Sequence, residues 1–189
     1  MPGKRYSAVY EIAVNQHGYA AAGQARQAAV SPQALAMMVK RGLLERVSRG
    51  LYRVNVVPAT RFSPYMEAVL WAYPAPGVVS HDSALELFEV SDVNPDRIHI
   101  TVPRNFRLRR PVPSTMEVHQ ADLSAREMTR IQGVPITTAA RAIRDCLAAN
   151  LSARLLLQAI DEGSRLGYLT QEDSDALRLE LRAPVAVAP

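Results

Sequence analysis

Residues Ser31–Val54, SPQALAMMVKRGLLERVSRGLYRV, decide how the first third of this chain folds. Ser31 before Pro32 reads as a helix start, because a hydroxyl cap precedes a residue whose missing N–H costs nothing in the first turn. Leu35, Met38 and Val39 then recur at helical spacing and form one apolar stripe. Gly42 supplies the left-handed stop. Two short apolar runs follow, Leu43–Val47 and Leu51–Val54, joined at Ser48-Arg49-Gly50 in the manner of a β-hairpin. Strand alternation puts Arg46 opposite Val47, and Arg53 opposite Tyr52 and Val54. Both are therefore expected to face solvent, with Arg49 at the tip.

Working back from that stretch, Tyr6–His17 predicts a helix ended by Gly18, and Ala20–Ala28 a second, short one. Val9, Ile12, Val30, Leu35, Met38, Val39, Leu44 and Tyr52 suffice for a small core. Three helices followed by a hairpin are the layout of a winged helix-turn-helix, whose third helix enters a major groove while the wing rests on the backbone.

The charge agrees with this layout. Residues 1–61 hold nine basic residues against Glu11 and Glu45, a net +7, and the other 128 residues are mildly acidic. A basic segment joined to an acidic remainder is the electrostatic footprint of a nucleic-acid module fused to something else. Gln33, near the start of the third helix, is placed to read a base edge, and Lys40 and Arg41 to hold phosphate. One amide gives little sequence discrimination, so paired half-sites are expected.

Working forward, VNVVPATRFS (Val54–Ser63) reads as a connector, dividing a domain over residues 1–61 from another over 62–183, with a disordered tail at 184–189. The second domain alternates helix and strand signals. Pro64–Tyr73 and Asp82–Phe88 read as helices; Gly77–His81, Arg97–Val102, Thr115–His119, Met128–Ile131 and Gly133–Thr137 read as strands, the last two as a hairpin. Three helices close the chain, one capped by Thr138, one starting at Ser152, and one opened by Thr170 with Asp173 in a capping-box spacing. The expected class is α+β: a winged helix-turn-helix domain, then a mixed α/β domain with a small sheet and a terminal helical cluster.

Signals for catalysis are few. His81-Asp82 sits at a strand-to-helix junction, where Asp82 reads more simply as a cap than as half of a catalytic pair. His99 and His119 lie on other strands with no third ligand at metal spacing in the sequence, so no metal site and no cofactor are expected. No phosphate-cradling glycine loop is visible, and an enzyme is not the expected class. Cys146 falls in a helical core stripe and reads as a small buried hydrophobe. No apolar run is long enough to cross a bilayer and the opening MPGKRYSAVYE lacks a signal-peptide core; with a single cysteine, a cytoplasmic location is expected. The loop PRNFRLRRPVP gathers Arg104, Arg107, Arg109 and Arg110 around Phe106. It is a candidate grip for a phosphate backbone or an acidic partner face, or else an exposed connection.

Four segments in order, HGYAAAGQARQAAVSPQALAMMVKRGLLERVSRGLYRV, VVSHDSALELFEV, RIHITVPRNFR and GVPITTAARAIRD, resemble the AbiEi-type antitoxins of bacterial type IV toxin–antitoxin (abortive infection) systems. The resemblance runs from about Tyr6 to Leu181. It implies a winged helix that binds inverted repeats in double-stranded DNA of its own promoter and represses the operon, and a second domain that neutralises a nucleotidyltransferase-type toxin in phage defence. Carried over by position, Ser31, Gln33, Lys40 and Arg41 match the recognition helix, and Arg46, Ser48, Arg49 and Arg53 the wing. A similar arrangement precedes a restriction-type nuclease domain in some longer bacterial proteins; this chain ends where that domain would begin, which favours the antitoxin expectation. The alternative is a stand-alone winged-helix regulator whose second domain dimerises or senses a ligand.

Overall fold

The computed structural model describes residues 3–107 and 111–182. Its N-terminal unit runs α1 (Lys4–Val14), β1 (Tyr19–Ala21), α2 (Ala22–Gln27), α3 (Pro32–Lys40), β2 (Leu44–Ser48) and β3 (Leu51–Val54). The ends of α3 are locally encoded. The Ala34 N–H donates to Ser31 Oγ at 3.2 Å, and Gly42, at φ +71°, lets the Leu43 N–H close back onto the Met38 carbonyl at 3.0 Å. The β2–β3 hairpin turns at Arg49-Gly50, with Gly50 at φ +81°.

The expected helix over Ala20–Ala28 is shorter than predicted. Tyr19–Ala21 is a strand that pairs antiparallel with β3, in a sheet ordered β1-β3-β2. Alanine-rich sequence favours helix locally, but the open edge of β3 offers Ala20 and its neighbours a ladder and full burial, and tertiary pairing wins. Tyr6, Val9, Ala13, Ala25, Val30, Leu35, Met38, Leu44 and Val54 form the buried core of this unit, with Ile12, Val39 and Tyr52 packed around it.

A second sheet follows the connector. Its strands are β4 (Val78–Val79), β5 (Ile98–Val102), β6 (Met116–Gln120), β7 (Met128–Ile131) and β8 (Val134–Thr137), in the order β6-β5-β4-β8-β7. The β5–β6 and β4–β8 pairs are parallel, whereas β4–β5 and the β7–β8 hairpin are antiparallel, so the sheet is mixed. The helices are α4 (Ser63–Trp71), α5 (His81–Phe88), α6 (Ala139–Ala148), α7 (Ala153–Arg165) and α8 (Gln171–Arg182). Thr170 and Asp173 make the expected reciprocal cap: the Thr170 hydroxyl donates to Asp173 Oδ2 at 2.7 Å and accepts from the Asp173 N–H at 3.1 Å. Cys146 is buried on α6. The molecule is α+β, and among the described residues no helix is long and apolar enough to cross a membrane.

The two units share a core. Tyr19 and Leu51, from the outer face of the first sheet, are buried with Met66, Val69 and Leu70 of α4, and the Tyr19 hydroxyl donates to Glu67 Oε2 at 2.8 Å. Gly23 is required by this approach, since a Cβ there would lie 2.3 Å from Tyr73 Cε1. His17 pins the connector, meeting Thr60 Oγ1 through Nδ1 at 2.9 Å and the Gln132 carbonyl through Nε2 at 2.7 Å.

Candidate functional site

Helix α3 buries Leu35 and Met38 and leaves Gln33, Ala36, Met37, Lys40 and Arg41 on its exposed side. An open groove of about 550 Å³ runs along this side, lined by Lys4, Arg5, Ser31, Gln33, Met37 and Arg41. Lys4 and Arg5 belong to the first turn of α1, and sequence reasoning counted their charge without placing them here. Their position follows from Tyr6 and Val9, which bury the opposite side of α1 against the core that α3 also packs on. Among the described residues, Lys4, Arg5, Lys40, Arg41 and Arg46 form no ion pair. Uncompensated cations around an open groove make it attractive to a polyanion.

The hairpin departs from expectation in two places. Arg46 and Arg49 are exposed. Arg53 is not: it pairs with Tyr19 across the sheet, so it shares the face that packs on the second unit, and its Nη2 donates to the Val57 carbonyl at 3.3 Å. Alternation correctly put Arg53 opposite Tyr52 and Val54, but that side of the strand is covered by protein rather than solvent. Ser48 is also half-buried, its Oγ enclosed, and it lines a cleft with Val47, Leu51, Trp71 and Met116 instead of standing on the exposed surface of the hairpin. Ser31 is exposed, with its hydroxyl already accepting the α3 cap bond.

In the basic loop, Arg104 and Arg107 are exposed, whereas Arg109 and Arg110 lie outside the described residues. Phe106 is not offered for stacking on a ligand: its ring packs edge-on against Trp71 at 6.2 Å, and its carbonyl accepts from Gln120 Nε2 at 2.7 Å.

A second cluster was invisible to sequence spacing. The reasoning that found no third ligand near His99 and His119 is corrected by the tertiary pairing. Parallel pairing of β5 with β6 sets Thr101 beside His119, which brings His99 and His119 onto one face with Nδ1 of His99 3.0 Å from Nε2 of His119. His81, first residue of α5, lays its ring on that of His119 at a centroid distance of 3.6 Å. His81 holds a left-handed φ of +55°, a conformation costly for a side-chain-bearing residue and one that gathers at functional sites. His99 Nε2 lies 3.3 Å from Asp82 Oδ1, and His81 Nδ1 lies 2.9 Å from Ser80 Oγ. Asp82 is not the cap expected from the sequence: Ser80 holds the N-cap position of α5, and Asp82, in the first turn, accepts from the Ser83 N–H at 3.0 Å and faces the His99 imidazole. Burial, then the neighbouring His119 and His99, pull His81 down to about 3, and burial pulls His119 down as well. Both rings are therefore neutral near pH 7. Burial pushes the Cys146 thiol up, so it stays protonated and inert.

Residues 7–55 match the family described as "Transcriptional regulator, AbiEi antitoxin". Over these residues the N-terminal unit is similar to the AbiEi family. The matched residues run from within α1 to just past β3 and include α3 and the hairpin, whereas Lys4 and Arg5 of the groove precede them. A comparison with curated proteins gives no match. Solved structures that match include the RV2827C protein from Mycobacterium tuberculosis, at 18% identity over 96% of this chain and 83% of that chain, with a TM-score of 0.45. That likeness is too slight to bear on function.

Proposed function

We propose that the N-terminal unit is an AbiEi-type winged helix that binds duplex DNA, and that the chain is an antitoxin repressing its own operon while neutralising a nucleotidyltransferase-type toxin in the cytoplasm, as part of a type IV, phage-defence system. The observation that carries the DNA half is the uncovered cationic groove along α3, to which α1 adds Lys4 and Arg5. The order helix, strand, two helices, hairpin, with the sheet ordered β1-β3-β2, supports the winged-helix reading. In this reading Gln33 faces base edges. Lys4, Arg5, Lys40, Arg41 and Arg46 contact phosphate, and Arg49 contacts the backbone from the hairpin tip. Arg53, bonded to the Val57 carbonyl, and the half-buried Ser48 lie on the side of the hairpin that faces the second unit and do not touch DNA in this reading. The antitoxin half rests on the family match, and its domain is the part after the connector.

The reading is tested by fluorescence anisotropy on the inverted repeat upstream of the gene, over a series of salt concentrations. Lys40→Ala and Arg41→Ala should each weaken binding and flatten the log–log salt slope by about 1. Arg53→Ala should leave that slope unchanged. No binding at low salt, or an unchanged slope in both α3 variants, would remove the DNA-binding role. Co-expression with the adjacent reading frame tests neutralisation: growth inhibition unrelieved by the full chain would remove that half.

A further inference from the structure

Three of the four histidines in the sequence converge from three separate elements, the start of α5, β5 and β6, and their ligating nitrogens all lie within 4.8 Å of one another. We propose that His81, His99 and His119 bind a divalent transition-metal ion, with Zn²⁺ the ion the donor set fits best. Zinc takes imidazole nitrogens at about 2.0–2.1 Å in a tetrahedral shell, which sets neighbouring ligand nitrogens roughly 3.4 Å apart. The His99 Nδ1 to His119 Nε2 separation of 3.0 Å is already close to that spacing. The third nitrogen, on His81, lies within 4.8 Å of the other two, and its half-buried ring has to reorient on His119 for the set to close around an ion.

The surroundings favour ligation over a merely packed cluster. Asp82 Oδ1, 3.3 Å from His99 Nε2, holds the proton on that nitrogen and turns the Nδ1 lone pair toward His119. A carboxylate behind a ligating imidazole is the usual outer-shell partner of a zinc-bound histidine. Ser80 Oγ, 2.9 Å from His81 Nδ1, anchors the second ring and accepts from the Thr101 hydroxyl at 2.8 Å; in the tautomer whose Nδ1 donates to Ser80, Nε2 of His81 is free to bind the ion. Three neutral nitrogen donors without a thiolate select a borderline ion over a hard one such as Mg²⁺ or Ca²⁺. Partial exposure leaves a fourth position open to water. The site lies outside the AbiEi-matched residues and does not depend on DNA binding.

The test uses the full chain, stripped with chelator and dialysed, and titrated with Zn²⁺ against a chromophoric competitor. The wild type should bind one equivalent and its thermal midpoint should rise with added Zn²⁺. Asp82→Asn, which keeps an acceptor oxygen for the Ser83 N–H and all three ligands, should weaken binding by about 10- to 100-fold. His99→Gln and His119→Gln should weaken it further, and Cys146→Ala should bind as the wild type does, with circular dichroism confirming that each variant folds. Failure of the wild type to bind Zn²⁺, or wild-type affinity in both histidine variants, would overturn the proposal. Loss of binding in Cys146→Ala would move the site elsewhere and overturn it equally.

Discussion

Leu51→Ala tests whether the two units share one core. Leu51 lies on the central strand of the first sheet, 1% exposed, and packs into the cluster containing Met66, Leu70 and Val79 rather than into the core of its own unit. Truncation removes three carbon groups, about 2.4 kcal/mol at roughly 0.8 kcal/mol each. A cavity walled by two rigid units relaxes poorly and adds to that, so the expected loss is about 3–4 kcal/mol. For a chain of this length the corresponding fall in Tm is about 6–16 °C. The assay is urea unfolding followed by two signals. Far-UV circular dichroism sees all helices, and the fluorescence of the single Trp71, buried on α4, sees only the second unit. Both midpoints should fall together, because a hairpin residue of the first unit supports the packing around α4. A Trp71 midpoint that stays put while the dichroism midpoint moves would refute the shared core, as would a total loss under about 1 kcal/mol.

Other consequences are local. Hydrogen bonds from the Ser124 backbone N–H and hydroxyl, then from Arg141, hold the Glu127 carboxyl down to about 2 from its ordinary 4.5. A depressed carboxyl stabilises the fold fully above its unfolded value and loses that contribution as pH falls through the folded one, so the window is about pH 4.5 down to 2. Glu127 is 35% exposed, and solvent screening limits its worth to about 1 kcal/mol. Glu127→Gln should therefore flatten the acid limb of the stability profile, and parallel wild-type and variant limbs would contradict the assignment. Cys146, 2% exposed with its thiol pushed up by burial, should resist iodoacetamide in the native protein and react after unfolding in urea. Rapid native labelling, followed by mass spectrometry, would show that α6 opens without global unfolding.

The parts legible in the sequence were those decided within one or two turns of chain. Ser31-Pro32, Gly42 and Gly50 set α3 and the hairpin; Thr170 and Asp173 set the start of α8, because a cap or a left-handed turn involves only neighbouring residues. The charge of the first third was equally plain, as was the mixed β-containing second unit. What the sequence could not supply was the identity of the thing covering each face. Residues Tyr19–Ala21 became a strand because β3 had an edge to fill, and Arg53 turned out to be half-buried because the second unit sits on that side of the sheet. Lys4 and Arg5 joined the α3 groove only through the packing of α1. The histidines show the limit most clearly: His81, His99 and His119 are separated by about twenty residues at each step, a spacing without periodic meaning. Only the parallel register of β5 and β6 and the place where α5 begins bring their rings together. Local chemistry fixes where elements start and stop, whereas long-range pairing decides which side chains meet, and the candidate metal site lies entirely in that second category.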